Sequence, residues 1–481
     1  MTNETAPQRR LSDARTAALW LLAALILGAA LVVLYPDSYQ QDGGTHFLYA
    51  RDSWREPWRL VDVWGRPLFT LLYAVPALAG YPAAKMLTVL ICTATAYQTW
   101  RLAVAMGLER ASLVIPLLFL QSSYLLLSSE TMTEPLFALV FVSALRLRHA
   151  HFDGAAMFLA SLLPLARPEG FFIVALWGLW VLLARDSGQS PVRRALALRT
   201  LGVGMLAWWL LALAITHDPL WILHNWPRNW SPSEAAYGHG SPFDYIRRSA
   251  EILGGWLLAP FAVGLGILLA KRRASDLTSS VLFILVVHTV LWSFGLFGSA
   301  GYPRYFVCVA PASALIMLVG WNAIADAIAK RSRALYLAIA TTVLAAALQS
   351  ALRYVDDMPW SRDTWAIREM IEAVPKFPVD HLIASQADMC IRLACTNDGW
   401  FPLSSDTAEM LKRLRATPPG TVVFWDTDLG PSWYKLGAAD FAAAGFHPVL
   451  SRSFTLAGRL PRFFWHKPGS IREQTFTILA K

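Results

Sequence analysis

The sequence predicts a polytopic α-helical membrane protein with a small α/β domain at its C-terminal end. Hydrophobic residues make up 56% of the 481 residues and charged residues only 16%, whereas soluble domains carry about 25% charged residues. Several apolar stretches reach the roughly 17–25 residues that one helix needs to cross a bilayer. Basic residues flank these stretches, as on the cytoplasmic side of membrane proteins, so the net charge of +9 requires no nucleic-acid partner.

The first apolar stretch, Thr16 to Tyr35, predicts a retained transmembrane helix. No small-residue cleavage site separates it from the polar loop that follows, so it does not read as a signal peptide. Arg9 and Arg10 place the N-terminus inside, and residues 36–66 become the first outer loop.

The basic clusters also fix a path for the remaining segments. Pro67–Gly80 is short for a span and contains Pro76, and the positions of the basic clusters leave it no complete crossing. We therefore predict a re-entrant or interfacial segment there. With the first helix, the predicted path has about eleven spans, the other ten being residues 83–106, 111–129, 134–149, 153–168, 170–184, 197–216, 251–270, 278–298, 304–325 and 333–352.

The chain divides into a membrane domain of residues 1–352 and a soluble extracytoplasmic domain of residues 353–481. Apolar runs with strand character alternate with helical patterns in this tail, which predicts an α/β layer. The expected strands are His381–Ser385, Thr421–Trp425 and Pro448–Phe454, and the expected helices are Ile367–Ala373, Met410–Arg415 and Ala438–Ala444. Cys390 and Cys395 are a candidate disulfide if the tail lies outside the cytoplasm.

On the predicted path, five groups of polar residues reach the same outer face. Such a gathering at one end of a helical bundle indicates a shared cavity. The groups are Asp37, Asp42, His46, Arg51 and Arg66 in the first outer loop; Glu130 and Glu134; Arg167 and Glu169; His217, Asp218, His224 and His239 in a Trp-rich loop of residues 217–250; and Tyr302, Arg304 and Tyr305.

Each of these residues also has a purely structural interpretation. Glu134 before Pro135 suits a helix N-terminus, Arg167 and Glu169 suit a local ion pair, and Arg304 suits a side chain that extends to the interface. The histidines of the outer loops show no zinc spacing. The aromatic residues Trp221, Trp226, Trp230 and Tyr237 suit interfacial anchors as well as sugar stacking.

The order of these motifs resembles the C-type superfamily of integral-membrane glycosyltransferases, in particular the protein O-mannosyltransferase and aminoarabinose-transferase branch. Those enzymes carry Asp-Glu-x-x-Tyr-x-x-x-Ala-Arg in the first outer loop. Asp42, Ala50 and Arg51 occupy matching places here, while Gly43 replaces the second acid. The run Thr133–Phe137 and the turns Arg167-Pro-Glu-Gly and Arg304-Tyr305 also resemble motifs of this superfamily.

The resemblance implies an inverting transfer of a sugar, mannose by default, from a polyprenyl- or dolichyl-phosphate carrier on the non-cytoplasmic face. A carboxylate would take the acceptor's proton, and cations would stabilise the departing phosphate. Asp42 is the first candidate for the base, with Asp37 and Glu134 as alternatives. Candidate phosphate ligands are Arg304, Arg51, Arg66, Arg167 and Tyr305; candidate substrate contacts are His46, Glu169, Trp226 and Tyr302.

The same resemblance bears on cofactors and partners. We expect no obligatory cofactor, because the sequence has no phosphate-binding glycine loop and does not resemble a soluble nucleotide-sugar enzyme; a divalent cation bridging Asp42, His46 and the phosphate stays open. The acceptor is a glycan, a lipid or a protein, and the expected location is a bacterial inner membrane with the site outside. A transporter or lipid flippase is the alternative, although such proteins favour charges at mid-membrane and repeated halves.

Overall fold

The computed structural model describes residues 6–37, 41–183, 192, 196, 198–227, 238–271, 275–360, 364–372, 382–395, 407–428, 430–461 and 466–481. Within these residues, helices build the membrane part, and a four-stranded sheet with its helices builds the C-terminal part.

The first half of the membrane part contains ten α-helices and two short 3₁₀ segments, Pro57–Val61 and Ala111–Leu113. The helices are α1 (Ala6–Leu34), α2 (Gln41–Asp52), α3 (Pro67–Leu78), α4 (Tyr81–Ala105), α5 (Val114–Phe119), α6 (Ser122–Leu127), α7 (Thr133–His149), α8 (Asp153–Ala160), α9 (Leu163–Ala166) and α10 (Glu169–Leu183).

The second half continues with 3₁₀ segments at Arg199–Gly202, Gly255–Leu257 and Pro303–Val309. Its helices are α11 (Val203–Thr216), α12 (Trp221–His224), α13 (Asp244–Arg247), α14 (Ser249–Leu253), α15 (Leu258–Ala270), α16 (Ser275–Ser293), α17 (Ala310–Ala329) and α18 (Arg333–Trp360).

Five helical segments of the described residues are long and apolar enough to cross a membrane. They are Leu11–Leu34, Arg199–Thr216, Asp276–Ser293, Pro303–Ala329 and Arg333–Val355; shorter apolar helices are Pro67–Leu78, Asp153–Ala166, Glu169–Leu182 and Gly255–Ala270. These segments support a multi-pass membrane protein. The total of eleven spans and the re-entrant placement of α3 stay predictions.

Several of the predicted spans are interrupted in the structure. The segment 111–129 divides into α5 and α6 at Gln121, whose backbone is extended with a ψ of 116°. The Gln121 amide donates to the carbonyl of Ala310 at 3.1 Å, so a polar group inside the bundle is satisfied where the helix breaks. The segment 153–168 divides into α8 and α9, and Pro164 opens the second piece.

Helix α7 carries charges that match its dipole. Glu134 lies in its first turn, and Arg146, Arg148 and His149 lie in its last turn. Acidic side chains stabilise the positive N-terminal end of a helix and basic side chains the negative C-terminal end. The Glu134 end of this helix is also the end that meets the other polar residues of the predicted outer face.

Helices α15 and α17 pack with their backbones in direct contact. A Cβ atom on Gly264 would lie 1.9 Å from the carbonyl oxygen of Ile316, and one on Gly320 would lie 1.9 Å from that of Pro260. Glycine therefore permits an approach that every other residue would prevent, as is common between membrane helices. This contact fixes α17, which continues directly from the 3₁₀ segment that carries Arg304.

The C-terminal part contains the sheet β1-β2-β4-β3, in which β1 and β2 are parallel and the other pairs antiparallel. Its elements are α19 (Thr364–Glu372), β1 (Leu382–Ala384), α20 (Ala387–Arg392), α21 (Thr407–Ala416), β2 (Val422–Asp426), α22 (Gly430–Tyr434), α23 (Ala438–Ala443), β3 (His447–Pro461) and β4 (His466–Ala480). Helix α18 packs against β3 and joins the two parts.

Strands and helices occur where the sequence predicts them in this tail. The predicted strands overlap β1, β2 and β3, and the predicted helices overlap α19, α21 and α23. Strand β4 was not predicted, because its first residues include Pro468 and Gly469, and such residues usually indicate a turn. Its placement outside the cytoplasm stays a prediction.

Candidate active site

Five buried or half-buried charged residues form a chain of ion pairs, here called the site cluster: Asp42, Glu134, Arg167, Glu169 and Arg304. Asp42 in the first turn of α2 pairs with the guanidinium of Arg304. The Nε atom of Arg304 lies 3.5 Å from Glu134 Oε1, and Nη1 of Arg167 lies 2.8 Å from the same oxygen. Residues separated by up to 262 positions therefore meet at one place.

The turn between α9 and α10 anchors the inner end of the site cluster. The guanidinium of Arg167 donates two parallel hydrogen bonds to the carboxylate of Glu169, with Nε 3.0 Å from Oε2 and Nη2 2.8 Å from Oε1. Its Nη1 also donates to the Thr133 hydroxyl at 2.9 Å. A Cβ on Gly170 would lie 2.2 Å from the carbonyl carbon of Leu163, so the glycine of the Arg-Pro-Glu-Gly turn allows this close packing.

Aromatic rings line the guanidiniums of the site cluster. The Cζ atom of Arg304 lies 4.8 Å from the ring centre of Tyr302, and that of Arg167 lies 5.6 Å from the ring centre of Tyr305. Both distances are in the range of cation–π contacts. The predicted turn Tyr302, Arg304 and Tyr305 thus forms one face of the candidate site.

His288 extends the site cluster, although the sequence analysis did not select it. Its ring stacks on Tyr305 with 4.8 Å between ring centres, and Nε2 lies 3.7 Å from Glu169 Oε1. The signal was available, because an ionisable residue within an apolar helix usually faces the interior of the bundle and serves a function.

The electrostatic field of the site cluster keeps Asp42 ionised. Burial raises the pKa of Asp42, but the charge and hydrogen bond of Arg304, with smaller effects of His46 and Arg167, leave it below the ordinary value of 3.8. The Asp42 side chain is 31% exposed, whereas that of Glu134 is fully buried. Asp42 is therefore the carboxylate of the site cluster with the most open access.

His46 and Arg66 lie beside the site cluster. Burial and then the charge of Arg66 lower the pKa of His46 to about 3, so its ring is neutral at neutral pH; the ring stacks on Trp64 at 4.7 Å. Burial and then the charge of Arg167 lower the pKa of Arg66 to about 10. Arg66 adopts a φ of 63°, an unusual value for a residue with a side chain.

Two predicted residues of the first outer loop have other partners. Asp37 pairs with Arg392 and, at 2.5 Å, with Arg368 of the C-terminal part. Arg51 binds its neighbour Asp52, with 2.6 Å between Nε and Oδ1. The roles of Asp37 as base and of Arg51 as phosphate ligand therefore stay predictions without support from these contacts.

Lys85 is a second charged residue that sequence reasoning missed. It is fully buried in α4, and its Nζ lies 2.9 Å from Oε1 of the predicted Glu130. The same Nζ donates to the carbonyls of Tyr35 at 2.6 Å and Asp37 at 2.9 Å. A lysine within an apolar stretch was the available signal.

A cavity of about 450 Å³ lies near α11 and α12. Trp58 and Trp221 meet edge to face at 6.3 Å, and Nδ2 of Asn225 donates to Asp62 at 2.6 Å. Trp226 packs in the neighbouring apolar cluster rather than in the cavity. The lining residues are Pro57, Trp58, Ile215, Thr216, Trp221 and Asn225.

The remaining predicted residues have the following placements. Asp218 pairs with the exposed His224 at 2.8 Å, and Trp230 and Tyr237 lie outside the described residues. Cys390 and Cys395 are buried and carry free thiols in the structure. Their pairing as a disulfide stays a prediction. Among the described residues, no group of three His, Cys, Asp or Glu side chains could hold a metal ion.

Comparisons with known proteins identify the fold. No family model and no curated protein matches the chain. Solved structures do match it, among them ArnT from Cupriavidus metallidurans bound to undecaprenyl phosphate, with a TM-score of 0.57, and the same protein in the apo state, with a TM-score of 0.59. Each is 13% identical, with 96% of this chain and 97% of the other covered. The predicted resemblance is thus confirmed at the level of the fold: the chain has the fold of these ArnT structures.

Proposed function

We propose that the protein is an inverting glycosyltransferase that uses a sugar linked to a polyprenyl phosphate and acts on the non-cytoplasmic face of the membrane. The observation that carries the proposal is Asp42, a half-exposed carboxylate paired with Arg304 at the open end of the buried site cluster. This arrangement offers one accessible base beside one cation. Transfer from a phosphate carrier requires both groups.

The proposed reaction is a single displacement. The acceptor hydroxyl oxygen forms a bond to the anomeric carbon, and the bond from that carbon to the phosphate oxygen breaks. The hydroxyl proton passes to Asp42, and the bonding electrons leave with the polyprenyl phosphate. Attack from the face opposite the leaving group inverts the anomeric configuration.

Arg304 has two roles in this mechanism. Without substrate it pairs with Asp42 and lowers the pKa of that carboxylate, which makes Asp42 a weak base. The donor phosphate competes for the same guanidinium, since Arg binds phosphate through two parallel hydrogen bonds. As Arg304 turns toward the phosphate, the pKa of Asp42 rises, so donor binding itself activates the base.

The remaining predicted residues take supporting roles. Arg66 lies close enough for its charge to affect both His46 and Asp42, so we assign it to the phosphate. Arg167 is already held by Glu134, Glu169 and Thr133, and we assign it to holding Glu134 in place. We keep Tyr302, Tyr305, His46 and Glu169 as substrate contacts or supports of the cation.

The molecule bound to the structural neighbour supports the proposed class of donor. The solved ArnT structure contains undecaprenyl phosphate, and we extend this carrier to the present chain. Mannose remains the default sugar, and aminoarabinose, glucose and arabinose are the others to test. The acceptor is a glycan, a lipid or a protein in the same membrane or outside it. A transporter or flippase is not favoured by this fold.

The test uses the full chain in lipid nanodiscs with undecaprenyl-phosphate sugars and an extract of envelope lipids and glycans. Wild type is expected to form a new glycoside, detected by mass spectrometry, and Asp42→Asn to lower the rate by about 10²–10⁴-fold. Asp218→Asn is the matched control, because Asp218 pairs only with an exposed histidine among its described ion pairs. Normal transfer by Asp42→Asn would refute the assignment of the base.

The alternative is distinguished in the same preparation. A flippase would move the labelled donor between the leaflets of a vesicle without making a new glycosidic bond. Donor translocation without product from every sugar and acceptor tested would replace the transferase proposal. Product formation with inverted anomeric configuration supports it.

A further inference from the structure

The first turn of α2, which carries Asp42, is held on one side by the C-terminal part. A Cβ on Gly44 would lie 3.0 Å from both Ala387 Cβ and Asp388 Oδ1, so α20 rests directly on the backbone of α2. The backbone N–H of Ala387 donates to Oε1 of Gln41 at 2.9 Å. Gln41, directly before Asp42, and Gly44, two residues after it, thus contact the same short helix.

A second attachment lies five residues before Asp42. The carboxylate of Asp37 receives Arg392, from the last turn of α20, and Arg368, from α19. The side chains of Asp37 and Arg392 are 19% and 20% exposed, whereas Arg368 is 50% exposed. Arg392 therefore makes the better shielded pair, and shielding from solvent strengthens an ion pair.

The membrane part holds the same segment from the other side. Lys85 donates to the carbonyl of Asp37 at 2.9 Å, and the Thr131 hydroxyl donates to the carbonyl of Gly43 at 2.7 Å. Between these contacts, Asp42 is the described residue that pairs with Arg304. Two independently attached parts of the chain thus set the position of one carboxylate.

We propose that Asp37, Arg392 and Gln41 form a clamp by which the C-terminal part positions Asp42 against Arg304. In this inference Asp37 is a positioning residue and not the base. The clamp acts by fixing the position of α2. Loss of the clamp therefore leaves the donor site intact but misaligns the carboxylate of Asp42. The inference rests on the proposed function for its kinetic part and on contacts alone for its structural part.

The experiment therefore has two readouts, hydrogen exchange of the residue 41–52 amides and steady-state transfer, both with the full chain in nanodiscs. In Asp37→Asn and in Arg392→Gln we expect exchange in α2 to rise about 10-fold, the effect of losing one hydrogen bond between charged groups. We expect kcat to fall about 10- to 100-fold, because small misplacements have effects of that size, while the KM for the donor stays within about 2-fold of wild type.

Two further variants separate positioning from chemistry and from misfolding. Asp37→Arg combined with Arg392→Asp and Arg368→Gln restores opposite charges without a carboxylate at position 37, and we expect it to recover most of kcat and of the protection. Lys412→Ala is the control in the same part, since Lys412 and Glu409 form an exposed pair at 3.6 Å.

Each outcome decides the inference. Loss of transfer in Asp37→Asn with unchanged exchange and no recovery in the charge-exchanged variant would make Asp37 a chemical participant and overturn the clamp. Unchanged exchange and unchanged kcat in both single variants would overturn it as well. If wild type transfers no sugar at all, the proposed function fails, and the exchange data alone decide whether the clamp exists.

Discussion

The site cluster and the Lys85–Glu130 pair are two groups of ionised residues in the same bundle, and they differ in composition and access. The pair has one charge of each sign, both side chains are at most 5% exposed, and Lys85 also binds two carbonyls. The site cluster has three carboxylates and two guanidiniums, and one member, Asp42, is 31% exposed. A closed pair holds the loop in place, whereas an open cluster is able to exchange a partner with substrate.

The largest expected effect is at the open end of the site cluster. Arg304→Gln removes the cation that we assign to the departing phosphate, so kcat/KM for transfer should fall by about 10²–10³-fold. Arg304→Lys should recover only part of the activity because the planar fork is lost. Arg247→Gln is the control, since the exposed Arg247 pairs with Asp244 at 3.4 Å. Equal rates in all three variants would contradict the role of Arg304.

The closed pair should respond in stability instead. Lys85→Met leaves Glu130 buried without its counter-charge, which is expected to lower the free energy of unfolding by about 3–5 kcal/mol. Lys85→Met with Glu130→Met should regain much of this loss. Thermal unfolding in detergent measures both variants against wild type. If Arg304→Gln lowered Tm as much as Lys85→Met does, the distinction between an open cluster and a closed pair would fail.

The pH dependence sharpens the comparison further. Because the folded pKa of Asp42 lies below the ordinary 3.8, its stabilising effect is present above that value and is lost as pH falls through the folded pKa. The acid limb of kcat/KM should follow the same group in the free enzyme. In Arg304→Gln only burial and weaker charges remain, so the limb should move to higher pH. An acid limb at the same pH as in wild type would show that a group other than Asp42 controls it.

The smallest expected effect concerns the aromatic cavity. Trp221→Ala removes one indole from the lining. On the sugar-stacking interpretation of Trp221, with the acceptor's sugar as the partner, we expect the KM for the acceptor to rise about 2- to 12-fold, the equivalent of one aromatic contact of about 0.5–1.5 kcal/mol. Donor binding and kcat should stay unchanged. Trp209→Ala on the exposed face of α11 is the control. A change in the KM for the donor instead would indicate that this cavity binds the lipid carrier.

The sequence alone predicted the helical bundle, the mixed tail and all five residues of the site cluster, because apolar length and basic flanks constrain the path of the chain. It ranked Asp42 before Asp37 as the candidate base, but both lie in one loop and their partners could not be predicted. The structure gives them different partners: Arg304 for Asp42, and Arg392 and Arg368 for Asp37. No local pattern reports contacts between residues more than 250 positions apart.

The breaks in the helices of the bundle could not be predicted from the sequence either. Gln121 interrupts a segment that hydropathy treats as continuous, and its partner is the carbonyl of Ala310 on another helix. Likewise β4 begins with turn-forming residues but pairs along β3 and β2. In each case a tertiary partner overrides the local preference.

The long separation between Asp42 and its partners has a consequence for biosynthesis. The chain is made from its N-terminus, and domains fold as they emerge, so α2 reaches the membrane surface long before Arg304 and Arg392 have been translated. A nascent chain or a truncated product holds the carboxylate without either contact that places it. The site is completed only after Arg392, in the last quarter of the protein, has been translated, so we expect an unfinished chain to leave the proposed lipid-linked donor unconsumed.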